Sequence, residues 1–233
     1  EVGGFGPDSY GAWYTKAFMD DVRGNCMQSC NDCSGSVEYA CLSKGIFLGT
    51  GTTLRHSTAT EGGTIVGSFC AVEMSSTLIL NGTSTLGDGG AVLLGFGSTM
   101  RVNENSTFEN NTAKKGSGGA VSCQQCILME FLGGTNFKSN VAFESGGAVT
   151  VTEPEEPMIS TESLFLGNIA QTKNGGAVNL YHTDWNSVND QFEYNVAESG
   201  SGGAVMAFGS PIKFTNHTTC KRNSAPKGGG GCL

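Results

Sequence analysis

The chain has 233 residues, 36 of them glycine, roughly twice the usual share of about 7%, so glycine here serves a systematic purpose. Thirteen basic against 21 acidic residues leave a formal charge of −8, which argues against a phosphate-tracking surface and against nucleic acid as a partner. The 38% of hydrophobic residues suffice for a buried core, while no apolar run approaches the ~18 residues of a membrane span.

The segment opening at Glu1 carries no charged stretch followed by an apolar one, and the expectation is that any secretory signal has been removed or lies outside this sequence. Residues 1–45 fit no repeat and carry Trp13, Tyr14 and Phe18 beside four clustered cysteines, Cys26, Cys30, Cys33 and Cys41. Nine cysteines in all, so clustered, point to disulfides and an oxidising, extracellular compartment. Zinc is the alternative for the four thiolates, but their spacing lacks two separated Cys-x-x-Cys knuckles. No metal or other cofactor is expected. Residues 1–45 are read as a Cys-rich cap or docking segment and residues 46–233 as a repeat domain.

Gly-Gly-Ala-Val begins at Gly89, Gly118, Gly146, Gly175 and Gly202, in steps of 29, 28, 29 and 27 residues. Degraded copies at Gly62-Gly63-Thr64-Ile65 and Gly230-Gly231-Cys232-Leu233 extend the frame to seven starts. A second motif precedes the later glycine pairs: Phe108-x-x-Asn111, Phe137-x-x-Asn140, Phe165-x-x-Asn168, Phe192-x-x-Asn195 and, with cysteine in place of phenylalanine, Cys220-x-x-Asn223. After each glycine pair Val92, Val121, Val149, Val178 and Val205 alternate with a more polar set, Leu93, Ser122, Thr150, Asn179 and Met206. That period of two is a strand's, with the valines inward and the second set outward, and no stretch carries helical spacing with caps.

A unit of about 28 residues holds about three short strands and goes once around a coil, so stacked coils at ~4.8 Å would form a parallel β-solenoid with identical residues in columns. The expected fold is all-β, a parallel β-helix (β-solenoid) of about seven coils of 27–29 residues. Glycine pairs suit tight corners and close approach of neighbouring coils. The recurrent asparagines suit bonding of turn backbone within and between coils, a structural role and not a catalytic one.

Phe-x-x-Asn followed by Gly-Gly-Ala-(Ile, Leu or Val) resembles the paired repeat of the polymorphic outer membrane proteins of chlamydiae, found also in large surface proteins of other organisms. The resemblance covers roughly residues 50–233, and five copies in phase make it specific. It implies the right-handed sense of the β-helix, exposure at a cell surface, and a role in adhesion or structure. The bacterial pattern includes a C-terminal membrane barrel that this sequence does not show, so the expectation is a eukaryotic secreted relative.

Cys123-Gln-Gln-Cys126 has the spacing of a redox motif, but Cys123 holds an inward repeat position and no helix follows, so a core thiol or structural disulfide is expected. Cys220 and Cys232 fall in one coil and could staple it; the odd total leaves a thiol free or shared with another chain. Four Asn-x-Ser/Thr sequons begin at Asn81, Asn105, Asn110 and Asn216, at or near turns where N-glycans would not disturb the stack. Such glycans are the one covalent addition expected.

Candidate catalytic groups are few. Glu153-Pro154-Glu155-Glu156-Pro157 offers carboxylates for acid/base work on a sugar, but its prolines favour a solvated loop. Asp184 and Asp190 flank Trp185, a candidate sugar platform, in what reads as one variable loop. His56, His182 and His217 belong to no nucleophile or zinc arrangement. No enzyme is expected. The primary reading is an extracellular glycosylated structural protein, self-assembling head to tail through the solenoid ends into a filament or surface layer. The alternatives are a cell-surface adhesin or carbohydrate-binding module, with glycans or cell-surface components as partners, and a polysaccharide lyase or hydrolase.

Overall fold

The computed structural model describes residues 45–233 and, before them, the backbone strands Cys33–Ser34 and Tyr39–Leu42. Trp13, Tyr14, Phe18, Cys26 and Cys30 lie outside the described residues, as do the side chains of Cys33 and Cys41. The expectations placed on them therefore lie outside the described structure.

The regular elements of the described residues are strands, 28 of them, in four sheets. Sheet A holds eight strands from Cys33–Ser34 to Thr219–Lys221, and sheet B seven from Tyr39–Leu42 to Val205–Phe208. Sheet C holds seven from Gly45–Leu48 to Ile212–Thr215, and sheet D six from Thr58–Ala59 to Val196–Ala197. Every pairing is parallel and joins a strand to its equivalent one repeat away, which makes the protein a parallel β-solenoid. Six full turns separate Gly62 from Gly230, and the pairing already begins with Cys33 on Leu54 and Tyr39 on Ile65.

One turn shows the unit. From Gly118 the chain runs through Val121–Gln124 in sheet B, Leu128–Phe131 in sheet C, Asn136–Lys138 in sheet A and Val141–Ala142 in sheet D before Gly146 opens the next. That is four strands where unit length suggested about three. The extra one is the two-residue strand after each ladder asparagine, set off because the residue before that asparagine takes a left-handed conformation: φ is 55° at Asn110, 53° at Ser139 and 57° at Tyr194.

The columns follow the repeat. Val92, Val121, Val149, Val178 and Val205 lie in register down sheet B, and Phe108, Phe137, Phe165, Phe192 and Cys220 down sheet A. The four phenylalanine rings stack at 5.1, 4.9 and 4.7 Å with planes within 9° of parallel. Each such contact adds about 0.5–1.5 kcal/mol to what burial itself contributes.

The second position of the sheet B strands departs from the outward, solvated reading: Leu93, Ser122 and Thr150 are buried. The loop leading into each glycine pair folds back over this row. Thr150 Oγ1, for instance, donates to the carbonyl of Ser145 at 3.0 Å.

Candidate functional site

The repeated asparagines form a ladder along the corner between sheets A and D. Asn140 Oδ1 accepts the backbone N–H and the Nδ2–H of Asn111, both at 3.0 Å. Asn140 Nδ2 in turn donates to the Phe108 carbonyl and to Asn168 Oδ1, again at 3.0 Å. The pattern continues through Asn168 and Asn195 to Asn223, and at its other end the Gly82 N–H donates to Asn111 Oδ1 at 2.8 Å. Asn111, Asn140, Asn168 and Asn195 are fully buried, so these amides are occupied in holding coils together and present no chemistry outward.

The two glycines of each pair answer different needs. The first, at Gly89, Gly118, Gly146, Gly175 and Gly202, has φ between 61° and 69°, where side chains are strained. At the second, a methyl on Gly90, Gly119, Gly147 or Gly176 would fall on the carbonyl oxygen of the equivalent glycine in the next coil.

Cys123 and Cys126 are disulfide-bonded within one turn and both fully buried, away from any attacking thiolate. Cys220 and Cys232 are bonded across the last described coil, and Cys70 is disulfide-bonded as well.

The sequon asparagines all have left-handed φ, from 54° to 56°, on the two corners that flank sheet A. Asn81 and Asn110 occupy neighbouring coils of one corner, where the Asn81 N–H donates to the Glu109 carbonyl; Asn105 and Asn216 sit on the other. Asn105, Asn110 and Asn216 are exposed and Asn81 half-buried.

The catalytic candidates do not converge. Glu153, Glu155 and Glu156 are exposed on the loop between Val149–Thr152 and Met158–Thr161. The platform read around Trp185 is overturned: Trp185 opens the strand Trp185–Val188, faces inward and is 1% exposed. Asp184 is exposed, whereas Asp190 is fully buried. His56, His182 and His217 lie on separate turns, the first two with φ of 60° and 49°. Among the described residues no three His, Cys, Asp or Glu side chains are grouped to hold a metal ion.

Asp190 is the group that reading the sequence as a loop missed. Its Oδ2 accepts from Ser187 Oγ at 2.6 Å and from Ser160 Oγ, its Oδ1 accepts the Ser163 N–H at 2.8 Å, and Trp185 Nε1 donates to Ser160 Oγ at 2.9 Å. The visible signal was a pair of serines, Ser160 and Ser187, in an inward column otherwise held by Met74, Val102, Phe131 and Phe214.

Burial pushes the Asp190 carboxyl above the ordinary carboxylate range, against the three donors that pull it down. Burial likewise raises Asp88, and raises Glu61 with help from the Asp88 charge. Between the ordinary and the raised values the folded state binds more protons than the unfolded chain, so stability falls as pH rises through that window. The urea midpoint is therefore expected to rise as the pH is lowered from neutral through that window, and Asp190→Asn to shrink that rise. A midpoint that drops on acidification, or an Asp190→Asn profile parallel to that of the unaltered protein, would contradict this origin.

Residues 105–124 match the family model of the Chlamydia polymorphic membrane protein (Chlamydia_PMP) repeat. That stretch carries the polymorphic membrane protein repeat. The matched stretch runs from the sequon at Asn105 through Phe108, the ladder residue Asn111 and the pair Gly118-Gly119 to the end of Val121–Gln124. It therefore contains one full set of the parts that build the ladders of this solenoid. No curated protein and no solved structure matches the chain. The repeat and the solenoid together fit a surface-exposed, adhesin-like β-helix, and among the described residues no helix is long and apolar enough to cross a membrane.

Proposed function

We propose that this chain is an extracellular display rod, a stiff β-solenoid that holds the side chains of its corners at fixed spacing for contact with partner molecules. The observation that carries the reading is the division of labour between core and corners. The buried ladder amides are consumed in joining coils, and large hydrophobic residues are exposed where strands turn, Phe69 and Phe208 among them. The bonded Cys123–Cys126 and Cys220–Cys232 pairs support an oxidising compartment and hence secretion.

N-glycans on Asn81, Asn105, Asn110 and Asn216 belong to this reading, supported by the placement of all four at turns. The intact mass of protein from its source is expected to exceed that of the bare polypeptide and to fall on treatment with an N-glycosidase. An untreated mass equal to the polypeptide would remove glycosylation from the proposal.

Self-assembly through the solenoid ends is supported by the sameness of the pairing surface. The register of Val92 on Val121 recurs as Val149 on Val178 and Val178 on Val205, so a coil of a second copy can extend the sheets as an internal coil does, head to tail. Negative-stain microscopy of the purified, non-reduced protein is expected to show rods joined end to end. Separate short rods at high concentration would leave display as the function and exclude assembly.

A further inference from the structure

We propose that the corner between sheets B and C is a docking surface for a basic segment of a partner protein, one bearing exposed Lys and Arg side chains. This deepens the display reading and rests on it. The corner is formed by residues 68–70, 95–98, 124–127, 152–157, 181–184 and 208–211. In that stretch stand four carboxylates, Glu153, Glu155, Glu156 and Asp184, with no lysine or arginine. On the adjoining sheet C, Arg101 is engaged by Glu130 at 2.5 Å, and Lys213 is the other cation.

The same corner carries the solenoid's exposed aromatic row. Phe69, Phe96, Tyr181 and Phe208 are 54%, 45%, 40% and 56% exposed. Phe69 and Phe96 meet edge to face at 5.4 Å, Tyr181 and Phe208 stack at 5.2 Å, and His182 stands edge-on to Tyr181 at 4.4 Å. Backbone bonds from Glu153 N–H to the Tyr181 carbonyl and from His182 N–H to the Phe208 carbonyl set the acidic loop in the coil next to Tyr181, with Phe208 one coil further on. Aromatic faces next to unpaired-sign carboxylates attract guanidinium and ammonium groups through the ring quadrupole and through charge-assisted hydrogen bonds. The one-sided charge selects a basic partner and speeds its encounter.

The backbone supports a presented and not an incidental side-chain set. The left-handed position of this corner is occupied by Phe69, Gln125, Glu153 and His182, with φ from 48° to 53°. At the corners flanking sheet A the same conformation is shared between asparagine or glycine, as at Asn81, Asn110, Asn189 and Gly167, which tolerate it better, and other residues, as at His56, Ser139, Tyr194 and Arg222. Gly97 and Gly209 fill the position in two coils of the docking corner, so the turn itself does not require the bulky residues. The four sequons, moreover, lie on the two corners that flank sheet A, so N-glycans there leave this one bare. From Phe69 to Phe208 the row climbs five coils, about 24 Å, the reach of an extended segment of about seven residues.

The test is fluorescence anisotropy of a dye-labelled deca-arginine peptide with the purified, non-reduced protein at 0.15 M salt. The triple variant E153Q/E155Q/E156Q and the double variant Y181A/F208A are each expected to weaken binding tenfold or more. The triple variant E104Q/E109Q/E162Q, with the same change of charge at and beside sheet A, is expected to stay within twofold. Equal weakening by the two triple variants, which reports only overall charge, or unchanged binding by Y181A/F208A, overturns the proposal. Labelling of intact source cells with an antibody to the solenoid reads surface display independently, so the docking corner and the display reading can fail separately.

Discussion

Gly119→Ala is expected to destabilise the solenoid by about 3 kcal/mol or more, at the upper end of overpacking effects. The added methyl would land on the carbonyl oxygen of Gly147 in the next coil and within 2.6–2.7 Å of the backbone of Val141. Neither neighbour can yield as a flexible side chain would. The Gly119 N–H donates to the Gly146 carbonyl at 3.1 Å, the Ala120 N–H to the Ala148 carbonyl at 2.9 Å, and the Val141 N–H to the Asn111 carbonyl at 2.9 Å. Relieving the clash means parting two coils, which also strains the ladder below. Because each coil of a solenoid contacts only its neighbours, the urea transition is expected to come earlier and to lose cooperativity, the two ends of the rod parting company at the altered coil. Gly49→Ala is the control, with open space around the new methyl and no left-handed backbone, and stays within about 0.5 kcal/mol. Equal and small effects at both positions would show that the coils do not need the second glycine.

The ladder asparagine is the second point of large effect. Asn140→Ala removes one acceptor shared by two donors and two donors aimed at separate acceptors, all in a buried corner. With about 1–3 kcal/mol for each buried group left unpaired and partial relaxation of the corner, an overall loss of about 3–5 kcal/mol is expected in the same assay.

Asn140→Asp is the sharper probe because the shape is kept. One carboxylate oxygen can still accept from Asn111, but the other is set against the Phe108 carbonyl and Asn168 Oδ1, both acceptors. The anion is repelled and desolvated, so its folded pKa lies above its unfolded one, and stability is lost as pH rises through that interval and regained below it. The variant is expected to be close to unfolding at pH 7 and substantially restored near pH 4, where the protonated oxygen can donate one hydrogen bond. Stability at pH 7 equal to that of the unaltered protein would mean that the ladder amides are dispensable.

Much of this is written in the chain because a solenoid forces equivalent residues into columns. A period of 27–29 residues, valines alternating after each Gly-Gly, and phenylalanine three residues before asparagine leave few arrangements that bury the apolar positions together. The structural role of the asparagines follows likewise, since a polar residue recurring at the same place in every coil must find its partners in its own kind. The corners were harder to read, because a turn residue's exposure depends on what folds back over it. Leu93, Ser122 and Thr150 have the pattern of a solvated row and are covered by a loop that alternation cannot place.

Trp185 and Asp190 show the limit most clearly. Their surroundings in sequence, Asp184 before and Asn189 after, are those of a surface loop, yet the register of Trp185 between Met158 and Ile212 carries the indole into the core and the Asp190 carboxyl after it. By itself the sequence determined the period, the columns and the need for glycine and asparagine, because these are local requirements repeated in every coil. Only the tertiary structure decided which polar groups are buried, how the fourth strand forms, and that acidic and aromatic side chains from five coils share one corner, because each depends on how the whole stack closes on itself.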